Sequence, residues 1–570
     1  MKKLAMLTVK GAVGLVPRAV REKLKSNHKL TEFYSRSLQR SGLFYGFPSE
    51  KKRMALYEAY LKQQEAELAS FECTSQSIEN ISVIIVGDKR AQDTIDSFYH
   101  EGVSVQSMRL VSTQPSVYGI ECLPTISAAI TELSGSDLIF FVNSGDIVTR
   151  NALQILAMQS EHSAVVYCDS DKLGRNKKRV SPFFLPDWNP ELQFSTGYVS
   201  TGVLIHSTLL KNTSLSSSTV SGMLAEIWLN DKAIAIHHVA HTLVHRGEAK
   251  REWHKALEDV RRVVESFTYA APAYNEELSV NHIQWPIKSD PLVSLIIPTK
   301  NAKGLVKACI ESILEKTIYQ NFEILLIDNG SDEQESLDYF RELAIHPKIR
   351  VLPYPGAFNY SAINNFGVKH AKGEIVGLVN NDIEVISPDW LTHLTGHAQR
   401  DDIGCVGAKL LYSDGRIQHA GVVLGYGGGA GHAHKYFPRY HPGYMKRLVA
   451  TQNYSAVTAA CLLVKKSLFI EVGGLNEKDL TVAFNDVDFC LRVKETGVRN
   501  VYCAEAELYH HESVSRGLDH APEKAARFNR ELDYLRTQWH KYIENDPAYS
   551  PNLTRLRENF SVKTKQEFKA

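Results

Sequence analysis

Short apolar runs that stop abruptly at clusters of small polar residues set the pattern of this chain. Val293 to Ile297 is one such run, closed by Pro298-Thr299-Lys300-Asn301. A helix follows with Leu305, Cys309 and Ile313 on one face, and Glu323 to Ile327 then ends in Asp328-Asn329-Gly330-Ser331-Asp332. Ile375 to Val379, mostly β-branched and preceded by Lys372-Gly373, ends in Asn380, Asn381 and Asp382. Short β-branched runs bounded by Gly, Pro and Asn read as buried strands. Strands alternating with helices predict an α/β fold built on a mostly parallel sheet. Such sheets bind ligands at the carboxyl ends of their strands, where these polar clusters lie. A carboxylate beside a carboxamide suits a hard divalent cation that also touches phosphate oxygens, and Asn-Asn-Asp is equally good turn chemistry.

The same pattern occurs earlier in weaker form. Ile81 to Val86 mirrors Val293 to Ile297, and Asp137 to Val142 with Asn143-Ser144-Gly145-Asp146 mirrors the strand that ends at Asn380. Gly202 to Ile205 mirrors Cys461 to Val464, and His241 to His245 mirrors Ala506 to His510. Four matches in one order predict a duplication at domain scale. The first copy lacks parts: Gly87-Asp88 replaces Pro298-Thr299, and no acidic pair like Asp486 and Asp488 precedes His245. Asn143 and Asp146 stand three apart, with Gly145 where a second metal ligand is expected, and Asp169-Ser170-Asp171 reads as a loop. The rival reading is a second active site built on Asp146 and Glu226. Five segments follow: a basic, helical extension (1–75), a degenerate first domain (76–246), a helical linker (247–290), the second domain (291–520), and a helix with a polar tail that reads as disordered (521–570).

Composition narrows the function. The 570 residues carry a net charge of +1, so nothing global points to nucleic acid. Eight cysteines without a C-x-x-C pair suit reduced thiols, hence a cytoplasmic setting. No apolar run approaches the roughly 18 residues needed to span a bilayer. Residues 1–40 hold ten Lys or Arg against two Glu, which reads either as a segment lying on an anionic membrane surface or as a solvated tail. Neither Gly-x-Gly-x-x-Gly after the first strand nor a Gly-Lys-Ser/Thr loop is present. Gly425, Gly427, Gly428, Gly429 and Gly431, interleaved with His432, His434 and aromatic residues, read as a lid over a sugar or as a flexible connection.

VSLIIPTKN, EILLIDNGSD, NYSAINNFGVKHAKGEIVGLVNNDIEV, CLLVKKSLFIEVGGLNE and FNDVDFCLRV resemble, in order and spacing, family 2 glycosyltransferases of the GT-A fold. IQHAGVVLGYGGGAGHAH and ELYHHES resemble the bacterial O-antigen and rhamnan rhamnosyltransferases of that family. The resemblance implies two tandem GT-A domains and an inverting transferase that uses a nucleotide-sugar donor and a lipid-linked saccharide acceptor at the inner face of the cytoplasmic membrane. dTDP-rhamnose is the donor implied, with a UDP-hexose or galactofuranose donor as the alternative. It gives Asn380, Asp382 and His510 the role of binding Mg²⁺ or Mn²⁺, with His511 as rival to His510. Pro298, Thr299, Asn301, Asp328 and Asn381 would hold the nucleotide, and Asn365 and Gly367 would approach the diphosphate unless they serve helix packing. Asp486 would be the general base, its pKa held low by a helix amino terminus, with Asp488 paired to Arg492 four residues on. A non-catalytic glycan-binding subunit is the reading from a different class.

Overall fold

The computed structural model describes residues 48–69, 80–100, 105–511 (apart from 115, 118, 134, 175, 212, 214, 248 and 249) and 522–568, with isolated residues before 48. The basic residues expected to meet a membrane lie almost wholly outside these. Among the described residues no helix is long and apolar enough to cross a membrane.

Two sheets share one topology. The first contains β1 (Ile81–Val86), β2 (Ser107–Val111), β3 (Ile120–Leu123), β4 (Leu138–Asn143), β5 (Ile147–Val148), β6 (Val165–Leu173), β7 (Val203–His206) and β8 (Ile236–Arg246), in the order β3-β2-β1-β4-β7-β6-β8-β5. The second contains β9 (Val293–Thr299), β10 (Phe322–Asp328), β11 (Ile349–Pro353), β12 (Ile375–Val379), β13 (Ile383–Val385), β14 (Ile403–Leu411), β15 (Cys461–Lys465) and β16 (Arg499–His510). Its order, β11-β10-β9-β12-β15-β14-β16-β13, repeats the first strand for strand. In both sheets the first four strands are parallel, the fifth runs against its neighbours, and the short edge strand pairs antiparallel to the last long one. The duplication thus extends to eight strands. β9 and β12 are buried along their whole length, as the unbroken apolar runs require of strands covered on both faces.

Of the connecting segments, one keeps the expected helix and gains a hairpin, and the other departs from expectation. The linker is a helix (Lys250–Phe267) followed by a β-hairpin (Ala271–Asn275 with Val280–Gln284), and Val260, Val263, Val264 and Ile283 pack with Phe194 and Trp228 of the first domain. The polar tail is ordered between the two domains. Asp187 donates its N–H to Pro547 O at 2.9 Å, and Asn552 Nδ2 donates to Asp169 Oδ2 at 3.1 Å. On the other side Asp546 accepts from Ser455 Oγ at 2.6 Å and from Leu424 N at 2.8 Å. Buried Tyr549 and Phe560 anchor the segment, so its polar residues are consumed by the contact. Asp169 and Asp171 are likewise buried strand residues of β6 rather than a loop; Asp171 receives Tyr57 Oη at 2.5 Å and Arg179 Nε at 2.7 Å.

A buried carboxylate joins the domains. Glu191 of the first lies 3.0 Å from Arg400 Nη2 and 3.5 Å from Arg499 Nη2 of the second. Burial pushes its pKa up, but Arg499 and Arg400 outweigh that and hold it at about 2. A carboxylate whose folded pKa lies below its unfolded value of 4.5 stabilises the fold above that pH, and the contribution is lost as pH falls toward 2. Glu191→Gln should therefore cost about 3 kcal/mol in urea unfolding at pH 7, with the gap to wild type closing between pH 4.5 and 2. A gap that stays constant with pH would contradict this role.

Candidate functional site

The carboxyl ends of β9, β10 and β12 and the end of β16 converge. The antiparallel pairing of Ile383 with His510 sets Asp382 beside the imidazole, with His510 Nε2 3.2 Å from Asp382 Oδ1. Asn380, one residue past β12, donates from Nδ2 to the same Nε2 at 3.1 Å. Asp382 and His510 are buried. His511 turns away, its ring nitrogens 2.7 Å from Ser413 Oγ and 3.3 Å from Glu384 Oε2, so His510 alone of the pair faces Asp382.

Asp382 and His510 offer a divalent cation an oxygen and a nitrogen, whereas Asn380 presents its NH₂ there and its oxygen to Tyr360, so it would join the set only with its amide turned over. To accept from Asn380, Nε2 must present its lone pair, which then faces an anionic oxygen 3.2 Å away. Two ligands of one ion sit about 3 Å apart when each bond is about 2.1 Å. The set holds one carboxylate, one imidazole and one carboxamide, and no denser cluster of three His, Cys, Asp or Glu occurs among the described residues.

Asp486 enters through the helix Asn485–Glu495. Its Oδ2 accepts from Ala459 N at 3.1 Å and its Oδ1 from Val487 N at 2.9 Å. Tyr360 links it to Asn380: the phenol donates to Asn380 Oδ1 at 3.2 Å and to Ala459 O at 3.1 Å. Asn380 N–H donates to Ala460 O at 3.0 Å. The segment Ala459–Ala460 thus ties the expected base to the expected metal ligands. The expectation of a depressed pKa fails, because burial raises Asp486 against the opposing hydrogen bonds of Ala459, Thr458 and Val487. Asp488 receives Arg492 Nε and Trp539 Nε1, each at 2.9 Å, which confirms the helix pair and leaves Asp486 as the carboxylate toward the sheet.

The nucleotide-side residues divide. Pro298 and Thr299 end β9, and Thr299 Oγ1 accepts from Asn381 Nδ2 at 3.0 Å. Asp328 ends β10, its Oδ1 occupied by Ser331 N at 2.9 Å and Ser331 Oγ at 2.5 Å. Asn301 has a left-handed backbone (φ 53°) and latches the next loop, accepting from Asp332 N at 2.9 Å and donating to Asp332 Oδ1 at 2.8 Å. Asn365 and Gly367 are engaged in packing. The Asn365 amide donates to Leu475 O at 2.9 Å and to Glu477 Oε1 at 2.7 Å, and a Cβ on Gly367 would collide with Ile296. The glycine-rich stretch is a hairpin, Val422–Leu424 with Ala430–His432, fastened to the C-terminal segment where Arg536 Nε donates to Gly428 O at 2.7 Å. That contact ties the stretch, read as a lid or as a flexible connection, to the C-terminal segment.

Sequence reasoning missed Tyr360 and Glu531. Asn359 caps the helix Tyr360–His370 through Ala362 N at 3.0 Å, so a helix start was legible there, though not the reach of the phenol. Glu531 accepts from Val482 N at 3.0 Å and Ala483 N at 2.9 Å and so holds the loop before Asp486. No sequence signal marks it.

The first copy repeats the arrangement more closely than residue spacing suggested. Ile147 pairs with His245 as Ile383 pairs with His510, so Asp146, not Gly145, stands where Asp382 does. Phe141 pairs with Val203 as Leu378 pairs with Leu462, which places Asn143 at the position of Asn380. The partners differ. His245 Nδ1 is 2.5 Å from Asp171, Asn143 Nδ2 donates to Ser200 O at 2.9 Å, and Asp146 Oδ1 accepts from Gly247 N at 2.8 Å. Ser221 and Asp486 each precede the histidine of their copy by 24 residues, and the Ser221 hydroxyl is buried on the carbonyls of Gly197 and Val199. Glu226 is occupied by Ser216 and Ser217.

Residues 294–473 match the family model described as glycosyl transferase family 2. Over 456 residues the chain is 41% identical to the uncharacterized protein y4gI of Sinorhizobium fredii (strain NBRC 101917 / NGR234), covering 76% of this chain and 50% of that one. Over 451 residues it is 32% identical to the O-antigen biosynthesis protein RfbC of Myxococcus xanthus, covering 73% of this chain and 34% of RfbC. The chain therefore spans half or less of the length of these relatives. A solved mannosyltransferase, PcManGT from Pyrobaculum calidifontis in complex with GDP-Man and Mn²⁺, aligns at 15% identity and a TM-score of 0.34 over 47% of this chain and 70% of that one, a likeness too slight to support an argument. The second domain is a family 2 glycosyltransferase domain.

If Asp486 is the base, Asp486→Asn should lower transfer at least ~10²-fold while leaving nucleotide affinity intact. The base acts when deprotonated, so wild-type rate should fall as pH drops through its pKa. Burial places that limb above the usual Asp range near 3.9. Rates that are flat across the acid range, or near-normal turnover by the variant, would reassign Asp486 to a structural cap.

Proposed function

We propose that the second domain transfers a sugar from a nucleoside diphosphate donor to a hydroxyl of a growing bacterial surface polysaccharide or lipid-linked glycan, by a single inverting displacement. The observation that carries this reading is the convergence of Asp486 with Asn380, Asp382 and His510 on the segment Ala459–Ala460. Asp486 takes the proton of the acceptor hydroxyl, whose oxygen attacks the anomeric carbon as the bond from that carbon to the diphosphate breaks. One base and one charged leaving-group site suffice for a single displacement, which inverts the anomeric centre. Tyr360 and the Ala459 amide fix the distance between the two halves of the site.

Asn380, Asp382 and His510 would hold Mg²⁺ or Mn²⁺, and the ion would supply positive charge to the departing diphosphate. Asp328 would accept the imide N–H of a pyrimidine, a donor that uracil and thymine share. The rhamnosyltransferase-like stretches favour dTDP-rhamnose as donor, with a UDP-hexose or galactofuranose as the alternative. The O-antigen role in the name of the Myxococcus relative supports a surface-polysaccharide product. The basic first 40 residues support a position at the cytoplasmic membrane surface, where a lipid-linked acceptor would lie.

Calorimetric titration with dTDP-rhamnose, UDP-glucose and UDP-galactofuranose in Mn²⁺ tests the reading. dTDP-rhamnose should bind, transfer should stop in excess EDTA, and Asp382→Ala should lose both activity and the metal dependence of binding. Full activity in excess EDTA would remove the metal role from all three side chains.

A further inference from the structure

At the end of the glycine-rich hairpin two histidine rings meet at right angles. His419 Nδ1 lies 2.9 Å from His432 Nδ1, so one proton must lie between two nitrogens. The other nitrogen of His419 decides which ring carries it. His419 Nε2 accepts the N–H of Gly421 at 3.3 Å and of Thr458 at 3.5 Å, so it bears no proton. His419 therefore carries its proton on Nδ1 and donates it to His432 Nδ1. His432 is left with its proton on Nε2, a nitrogen that has no partner among the described residues. Burial, with Lys435 and His510 nearby, lowers His432 to about 3, so it stays a neutral donor.

The pair lies between the two halves of the site. Thr458, whose N–H touches His419, also bonds Asp486 through its hydroxyl, and His510 lies near both rings. Ala430, two residues before His432 on the same strand, lines a cleft of about 400 Å³ together with Tyr426, Phe484, Phe528, Arg557 and Glu558. Phe484 caps the helix that carries Asp486, and its ring lies 5.3 Å from that of Phe528. Partly exposed aromatic faces beside Arg and Glu suit a saccharide, with its apolar ring faces and many hydroxyls. Phe484 sets this cleft against the start of the helix that carries Asp486, and the base must touch the acceptor.

We propose that this cleft receives the acceptor saccharide and that His432 reads it, donating from Nε2 to an acceptor hydroxyl oxygen, with His419 as the positioning residue that fixes its tautomer. The inference rests on the transferase reading above. A neutral N–H suits a hydroxyl, whereas a diphosphate calls for a cation.

Nitrogen-15 shifts of His432 in the full chain, recorded without and with decyl α-L-rhamnopyranoside, test both parts. The Nε2–H tautomer and an Nε2 shift that moves on adding the glycoside are expected; the Nδ1–H tautomer, or an Nε2 that ignores the glycoside, overturns the proposal. In transfer assays to the same glycoside, His432→Phe should raise the acceptor KM about tenfold, the scale of one lost hydrogen bond, with dTDP affinity unchanged. His432→Gln should recover part of that loss through its amide N–H. An unchanged acceptor KM, or a loss of dTDP affinity instead, counts against His432. A wild-type chain that binds neither dTDP nor UDP would refute the transferase reading itself, an outcome distinct from either.

Discussion

The pairing of a three-residue edge strand with the end of the longest strand is the constraint on which the site depends. β13 runs antiparallel to β16, and this register alone sets Asp382 against His510. A slip of one residue would send every side chain of β13 to the opposite face and dissolve the arrangement. Fixing it falls to groups far apart in sequence: Tyr360 from a preceding helix, Ala459–Ala460 from the approach to β15, and Glu531 from the C-terminal helix. The site is thus a property of the whole domain.

The same register exists in the first copy, and there it leads elsewhere. β5 pairs with β8 and brings Asp146 to the position of Asp382, yet His245 is drawn off by Asp171, which also holds Arg179 and Tyr57. Asp171 serves the contact between the first sheet and the helix Glu50–Ala69. Burial lifts Asp146 to about 6, as suits an acid in a packed core. With Ser221 closed onto backbone carbonyls where Asp486 stands in the second copy, the first copy keeps the frame and turns its polar residues to structure, as a fold can outlive its site.

Strand ends were legible because unbroken apolar runs stop at polar residues, and the resemblance was carried by those ends. The duplication was legible in four strands and extends to eight, since β2, β3, β5 and β6 keep their places without keeping a recognisable pattern. Residue spacing misplaced Asp146, because the turn after β4 absorbs one extra residue before the register resumes. Burial was the least legible quantity. It reversed the expected pKa direction of Asp486, it ordered a polar tail around Asp546, and it turned Asp169 and Asp171 from a loop into strand residues. None of these follows from local pattern, since each depends on which distant segment covers the group.

We propose one nucleotide-sugar site for this chain, in the second domain, although both domains share a topology and the positions of three polar residues. Nucleotide stoichiometry tests it most directly. Calorimetry of the full chain with dTDP in Mn²⁺ should give one site per chain, abolished by Asp382→Ala and untouched by Asp146→Ala. Two sites per chain, or one that is lost with Asp146→Ala and kept with Asp382→Ala, would contradict the account.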